Sequence, residues 1–246
     1  MLVRKKISMK YDLSYFEEQL EKYEITLTEK QKEQFITYFE MLIEKNKVMN
    51  LTAITEFDEV LEKHFLDSVS LTQVCDLNKN LSVIDLGTGA GFPGIPLKIV
   101  FPELQITLAD SLNKRISFLK EVIDSLGLDG IEAVHCRAEE FAHKKEYREA
   151  FDLCVSRAVA NLSTLSEYCL PFVKVGGRFI SYKSGACDVE VTDSKKAVFL
   201  LGGELKDVHK FSLGDSGRAF VTINKVKHTP KTYPRKAGTP LKMPIA

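Results

Sequence analysis

Apolar positions along this chain repeat with one period up to about residue 80 and with another beyond it. In the first part they recur at helical intervals. Phe35, Tyr38, Phe39, Leu42 and Ile43 form a stripe behind Thr28 and Gln31, which have capping-box spacing, while Glu33, Glu40, Glu44 and Lys45 occupy the other face. A second helical stretch is predicted from about Glu56 to Leu71, with Val60, Leu61, Phe65 and Val69 on its apolar side and His64, Asp67 and Ser68 on the other. Residues 76–80 read as a linker, so the predicted division is a helical region over 1–80 and a main domain over 81–246. Beyond residue 81 short apolar runs alternate with helical ones. Strands are expected near 83–86, 105–109, 131–135, 151–156 and 177–182, with helices near 94–100, 113–126, 138–143, 161–174 and 190–201. Such alternation predicts a parallel sheet covered by helices on both faces. Runs at 204–211 and 218–226, joined by a turn at 214–217, predict an antiparallel hairpin at the sheet edge.

The stretch VIDLGTGAGFPG, Val83 to Gly94, carries the most specific local chemistry. A short buried strand breaks there into a loop containing Gly87, Gly89 and Gly91, then opens a helix. Without a Cβ, glycine adopts positive φ and lets backbone amides approach a ligand, beside the free N–H groups of the helix start. The spacing is G-x-G-x-G, because Phe92 stands where a dinucleotide fingerprint places its third glycine, and no G-K-[ST] follows. A tight turn without a ligand is the competing reading. In a doubly wound sheet ligands lie beyond the carboxyl ends of the strands. The residues placed there are Asp110 after the second strand, which suits ribose hydroxyls or a helix cap, Ala138 and Glu139 after the third, Arg157 after the fourth and Lys183 after the fifth.

Composition narrows the setting without naming a ligand. The 246 residues contain 34 basic and 34 acidic side chains, so net charge gives no argument for nucleic acid. Its distribution differs. After Asp215 no acidic residue occurs, while Arg218, Lys225, Lys227, Lys231, Arg235, Lys236 and Lys242 do, which makes the C-terminus either a phosphate-attracting patch or a solvated, partly disordered tail. The five cysteines are scattered, without a C-x-x-C pair, which fits a reducing cytoplasm and neither a disulfide framework nor a thiolate metal site. His64 has no second histidine at ligand spacing, so no metal site is expected. No signal-peptide core or bilayer-length apolar run is seen, so neither export nor membrane insertion is expected.

Several runs together carry a family resemblance. DLGTGAGFPGIPL, with HFLDS upstream and ADSLNKR, RAEEF, SRAVA, GGEL and TPKTYPRKAGTPLKMPI downstream, resembles the ribosomal RNA small-subunit methyltransferase G family, also called glucose-inhibited division protein B. The likeness covers nearly the whole chain; the first ten or so residues fall outside it. It implies a class I Rossmann-like α/β fold, a mostly parallel seven-stranded sheet with helices on both faces and an N-terminal helical extension. It also implies S-adenosyl-L-methionine as cofactor and methylation of N7 of a guanosine, position 527 in the 530 loop of 16S ribosomal RNA, in the small ribosomal subunit. The cofactor contacts it implies fall on Gly87, Phe92, Ala138, Glu139 and Arg157, and Asp110 joins them from the general class I pattern. His64, Asp67, Ser68, Asn50 and Lys183 match recurring family positions, with RNA binding or site closure as their expected role; Lys231, Arg235 and Lys236 are RNA-binding candidates of the basic tail.

The chemistry expected after the fourth strand agrees with that target. Neither an Asp/Asn-Pro-Pro-aromatic motif for exocyclic amines nor a nucleophilic cysteine for cytosine C5 follows it; Ser156, Arg157 and Ala158 do. Guanine N7 offers a lone pair and no proton, so positioning suffices, with Arg157 or Lys183 as the candidates that orient the base. A monomer without an obligate protein partner is expected. Three alternatives stay open: an RNA-binding assembly factor with a non-catalytic cofactor pocket, a nicotinamide oxidoreductase, which would want glycine at position 92, and a small-molecule or protein methyltransferase, which the basic tail disfavours.

Overall fold

The computed structural model describes residues 11–157 and 160–245. Residues 1–10, Ala246, and Ala158–Val159 of the SRAVA run lie outside the described residues. Helix α1 is Ser14–Glu21, and α2, Glu29–Met49, opens on the expected capping box. The Thr28 side chain accepts from the Gln31 amide at 3.3 Å, and the Gln31 carbonyl oxygen accepts from the Thr28 amide at 2.8 Å, which satisfies two free donors of the first turn. Phe35, Tyr38, Phe39 and Leu42 are buried, as the stripe requires.

The helical stretch α3 departs from a regular helix. It runs through Phe57–Val60, a π-helical turn Leu61–Leu66, Asp67–Val69 and a 3-10 turn Ser70–Gln73. The Asp67 amide reaches back five residues to the Glu62 carbonyl, while the Ser68 hydroxyl donates to the His64 carbonyl at 2.5 Å. A side-chain donor thus competes with the backbone ladder and admits the extra residue.

The sheet follows the alternation. Strands β1 (Ser82–Leu86), β2 (Gln105–Asp110), β3 (Ile131–His135), β4 (Phe151–Arg157) and β5 (Val173–Ser184) are parallel where they pair, while β7 (Ser216–Lys225) runs antiparallel to both β5 and β6 (Gly203–Leu213). The order is β3-β2-β1-β4-β5-β7-β6, with the chain reversing its direction of winding between β1 and β4. Between the strands lie α4 (Gly94–Val100), α5 (Asn113–Leu126), α6 (Ala138–Phe141), α7 (Leu162–Cys169) and α8 (Asp188–Leu200). The expected helix over 161–174 is cut short at Cys169 and followed by a 3-10 turn, Leu170–Phe172. Pro171 has no N–H to continue the ladder, and Val173 pairs with Phe151, so β5 starts four residues before the expected 177.

Alternation within strands builds a core on each face. Val83, Val155, Ile180 and Phe220 join a cluster with α1–α5, whereas their neighbours Ile84, Cys154, Phe179 and Val221 join one with α7 and α8. The N-terminal helices therefore pack on the same face as α4 and α5. Among the described residues no helix is long and apolar enough to cross a membrane.

The basic C-terminus is folded onto the body, which settles against the disordered-tail alternative for residues 226–245. Arg148 donates to the Tyr233, Thr229 and Pro230 carbonyls, and the buried Glu167 carboxylate receives both the amide and the guanidinium of Arg235 at 2.7–3.2 Å. The chain then makes one short helix, α9 (Thr239–Lys242). Backbone carbonyls and charged side chains, rather than a hydrophobic stripe, hold this segment, so apolar periodicity could not reveal it.

Candidate functional site

Two cavities open at the carboxyl ends of the parallel strands, on either side of the switch between β1 and β4. The first, about 510 Å³, is lined by Gly87 after β1, Asp110 and Ser111 after β2, Cys136 to Glu139 after β3, Arg115 of α5 and Tyr168 of α7. Gly238 and Leu241 of the C-terminal segment close another side.

Of the glycine loop, Gly87 lines this cavity. Gly87, Gly89 and Gly91 have φ of 75°, 63° and 109°, and a Cβ at Gly89 would meet nothing within 4 Å, which leaves the loop backbone open to a ligand. Asp85 organises the loop from beneath. Its Oδ2 accepts from Thr88 Oγ1 at 2.6 Å and from the Gly94 amide at 2.8 Å, while Oδ1 has no hydrogen-bond partner among the described residues. Burial, only partly offset by those two donors, pushes its carboxyl up to about 6. An unused buried acceptor under a glycine loop suits a ligand bearing positive charge.

Asp110 is engaged differently from expectation. Oδ1 accepts from the Leu112 amide at 2.9 Å, and Oδ2 from the Gly89 amide at 3.0 Å and from Arg115 at 3.1 Å. Three of about four lone-pair directions are used, so both hydroxyls of a ribose bind only if a partner gives way. Arg115, one-third exposed, is the partner free to move. Glu139 accepts from the Gly238 amide at 2.9 Å. Burial pushes the Cys136 thiol up to about 12 and, with the Glu139 and Glu167 carboxylates, the Tyr168 hydroxyl likewise. Both stay protonated at neutral pH, so Cys136 is no nucleophile here.

Phe92 and Arg157, grouped with Gly87 in the sequence, do not line this first cavity. The Phe92 ring stacks on His64 at 4.6 Å and lies 5.4 Å from Tyr38, with the Arg157 guanidinium 5.1 Å from its centroid. Phe92 thus packs between the glycine loop and the N-terminal helices. Arg157 lines the second cavity, about 400 Å³, together with Ile54, Lys63, His64, Asp67, Tyr182, Lys183, Ser184, Phe211, Arg218, Ala219 and Phe220. Its aromatic walls and cationic groups match what an unstacked base and its phosphate require.

Asp67 centres that second site. It bonds Arg157 at 2.8 Å and Arg218 at 3.1 Å, and is nearly inaccessible. Two cations on one carboxylate leave net positive charge. Lys183 donates to Glu190 at 2.6 Å and to the Ala160 carbonyl at 2.8 Å. His64 bonds Thr52 through Nε2 at 2.8 Å, and its Nδ1 lies 3.3 Å from Arg157. Burial first, then the Arg157 charge, pushes it down to about 4, so it is neutral at pH 7. Ser68 is fully buried and cannot touch RNA while the helix is packed, because its hydroxyl serves the His64 carbonyl. Asn50 ends α2 in a left-handed cap. Lys231 and Lys236 are exposed, whereas Arg235 is committed to Glu167. Tyr182 and Phe211 escaped sequence reasoning, and Arg218 was read only as part of the basic C-terminus, not of this cavity. Arg218 reaches the site only because β7 pairs in antiparallel register with β5, Ser184 opposite Arg218.

Known proteins share this plan. The model of the family described as rRNA small subunit methyltransferase G matches residues 31–236. A protein of Lachnoclostridium phytofermentans named ribosomal RNA small subunit methyltransferase G is 52% identical over 236 residues, 95% of this chain and 98% of its own. One of the same name from Staphylococcus carnosus is 50% identical over 231 residues, 93% of this chain and 96% of its own. A solved SAM dependent methyltransferase from Aquifex aeolicus superposes with a TM-score of 0.50 at 16% identity, over 67% of this chain and 92% of that one, a likeness of fold. With half of all residues shared across nearly the full length, and a Rossmann-like sheet carrying its glycine loop at the switch point, the chain belongs to the rRNA small subunit methyltransferase G family.

Proposed function

We infer that this protein transfers a methyl group from S-adenosyl-L-methionine to N7 of guanosine 527 in the 530 loop of 16S ribosomal RNA, acting as a monomer on the small ribosomal subunit in the cytoplasm. The observation that carries this reading is the pair of cavities flanking the switch point, one lined by Gly87 and acidic side chains, the other aromatic and cationic. The first suits a nucleoside and the second an extruded base with its phosphate. Gly87, Asp110, Ala138 and Glu139, which line the first cavity, and Phe92 and Arg157 beside it would hold the cofactor, with the unused Asp85 oxygen lending negative potential below the loop. When bound, it supplies an electrophilic sulfonium methyl.

The chain's own part is positioning. Guanine N7 carries no proton, so the bond-forming step needs no general base, and neutral His64 and protonated Cys136 agree with that. Holding N7 in line at near-attack distance supplies several kcal/mol of barrier lowering, roughly 7–11 at the limit. Arg157 and Arg218, both on Asp67, form a preset cationic wall for the O6 edge or the phosphate, because the carboxylate fixes both guanidinium groups before RNA arrives. Lys183 on Glu190 supplies a third cation at the same cavity.

The test is transfer of labelled methyl to small subunits that lack the modification, followed by nucleoside analysis. Label in 7-methylguanosine from the 530 loop is expected. Tight RNA and S-adenosylhomocysteine binding without transfer would overturn the enzymatic reading in favour of an assembly factor.

A further inference from the structure

The cofactor cleft has a wall that neither the glycine loop nor the strand ends provide. Gly238 and Leu241 of the C-terminal segment line it. That segment is tied down at three places near the cleft. The Gly238 amide donates to Glu139 Oε1 at 2.9 Å, Thr164 Oγ1 donates to the Pro240 carbonyl at 3.0 Å, and Arg235 is held by the buried Glu167 while its Nη2 donates to the Met243 carbonyl at 2.8 Å. Most of these ties are buried or half-buried, so the segment sits on the body as a strap.

Leu241 nevertheless remains 64% exposed at the edge of this cleft. A large apolar side chain held by a fixed backbone beside a cavity gains by burial only when something fills that cavity. The apolar face of a nucleoside does so, and the cleft's acid, aromatic and glycine walls have the composition a nucleoside needs.

We propose that the C-terminal strap is part of the cofactor site, with Leu241 packing on the nucleoside of S-adenosyl-L-methionine and Glu139 acting as the latch that holds Gly238 in place; this rests on the function inferred above. Glu139, which itself lines the cleft, then also positions the strap. Lys236 and Lys242 on the same strap are exposed.

The experiment is calorimetric titration of the 246-residue chain with S-adenosylhomocysteine, for wild type, Leu241→Ala and Leu241→Met, with hydrogen exchange of the amides of Gly238, Thr239, Leu241, Lys242 and Met243 read with and without the ligand. Truncation of Leu241 is expected to weaken binding about fivefold, while the volume-conserving Leu241→Met binds as wild type. Exchange across the strap is expected to slow on binding. Leu241→Ala binding as tightly as wild type, or strap exchange indifferent to ligand, would overturn the strap's role and leave the inferred function standing. Failure of the wild type to bind would overturn that function and the strap with it. Because Leu241 is largely exposed, its replacement leaves the core untouched.

Discussion

Removing one hydroxyl, Tyr38→Phe, tests whether the N-terminal helices hold the glycine loop. Tyr38 lies on α2, is fully buried, and donates its hydroxyl to the Ala90 carbonyl at 2.6 Å, inside the loop. Its ring stacks on Phe65 at 5.4 Å and touches Phe92 at the same distance, contacts that phenylalanine keeps. The perturbation is therefore one hydrogen bond without a cavity, and it deprives a loop carbonyl of its donor in a dry site. Leaving a buried acceptor unpaired costs about 1–3 kcal/mol. In a chain of this length each kcal/mol moves Tm by roughly 2–4 °C, so a drop of about 4–8 °C follows from the midpoint of that range. A loosened loop must also be ordered by the ligand. If about 1 kcal/mol of that ordering passes to binding, affinity for S-adenosylhomocysteine falls about fivefold. Urea melts give the stability and calorimetric titration the affinity. An unchanged midpoint and affinity would refute the reasoning. Reduced stability with wild-type affinity would instead credit Asp85 and Asp110 with holding the loop.

Gly91→Ala should cost more, about 2–4 kcal/mol, because φ is 109° and the new Cβ would sit 2.5 Å from Ile95 Cδ1 and 2.6 Å from the Tyr38 hydroxyl; equal urea midpoints would contradict it. Arg157→Met leaves Asp67 only Arg218 and should destabilise by about 2–4 kcal/mol, with Asp67→Asn in the same chain recovering part of that stability; simple additivity in the double-mutant cycle would deny the pair. For pH, Asp85 sits at about 6 in the fold against an ordinary 3.8, so the folded chain holds the extra proton and its contribution to stability falls as pH rises from about 4 to 6. His64, at about 4 against 6.5, works with the opposite sign, since the unfolded chain takes the proton first and stability rises over nearly the same interval. Asp85→Asn should therefore uncover a rise of about 3 kcal/mol between pH 4 and 6.5, and His64→Phe a fall of similar size; parallel profiles for both variants would refute the pairing. Replacing Lys231 and Lys236 by alanine should shallow the salt dependence of RNA binding by about 0.7–0.9 for each phosphate that is no longer neutralised, read from affinities across a salt series; an unchanged slope would remove both from the interface.

Local rules in the chain were enough for α2 and for the alternating strands and helices from 81 to 226, but not for α1 or α9. The capping box of Thr28 and Gln31 and the glycines after β1 act over a few residues, so they are written in neighbouring positions and appear in the structure as expected, while the expected 214–217 turn tightens to Gly214 and Asp215 between strands that pair out to Leu213 and Ser216. The alternation of strand and helix likewise required a parallel sheet, whose strand ends brought Gly87, Asp110, Ala138 and Glu139 to one cleft. Which partner each side chain meets was decided only by packing. Arg218 bonds Asp67 across 151 positions, Tyr38 bonds Ala90 across 52, and Gly238 bonds Glu139 across 99, separations at which no spacing rule operates. The π-turn that swings Asp67 inward arises from competition between a hydroxyl and the backbone, and the early start of β5 from its pairing with Phe151. Burial then set the protonation of Asp85, His64 and Cys136, because desolvation depends on what the whole fold places around a group and not on the residues beside it in the chain.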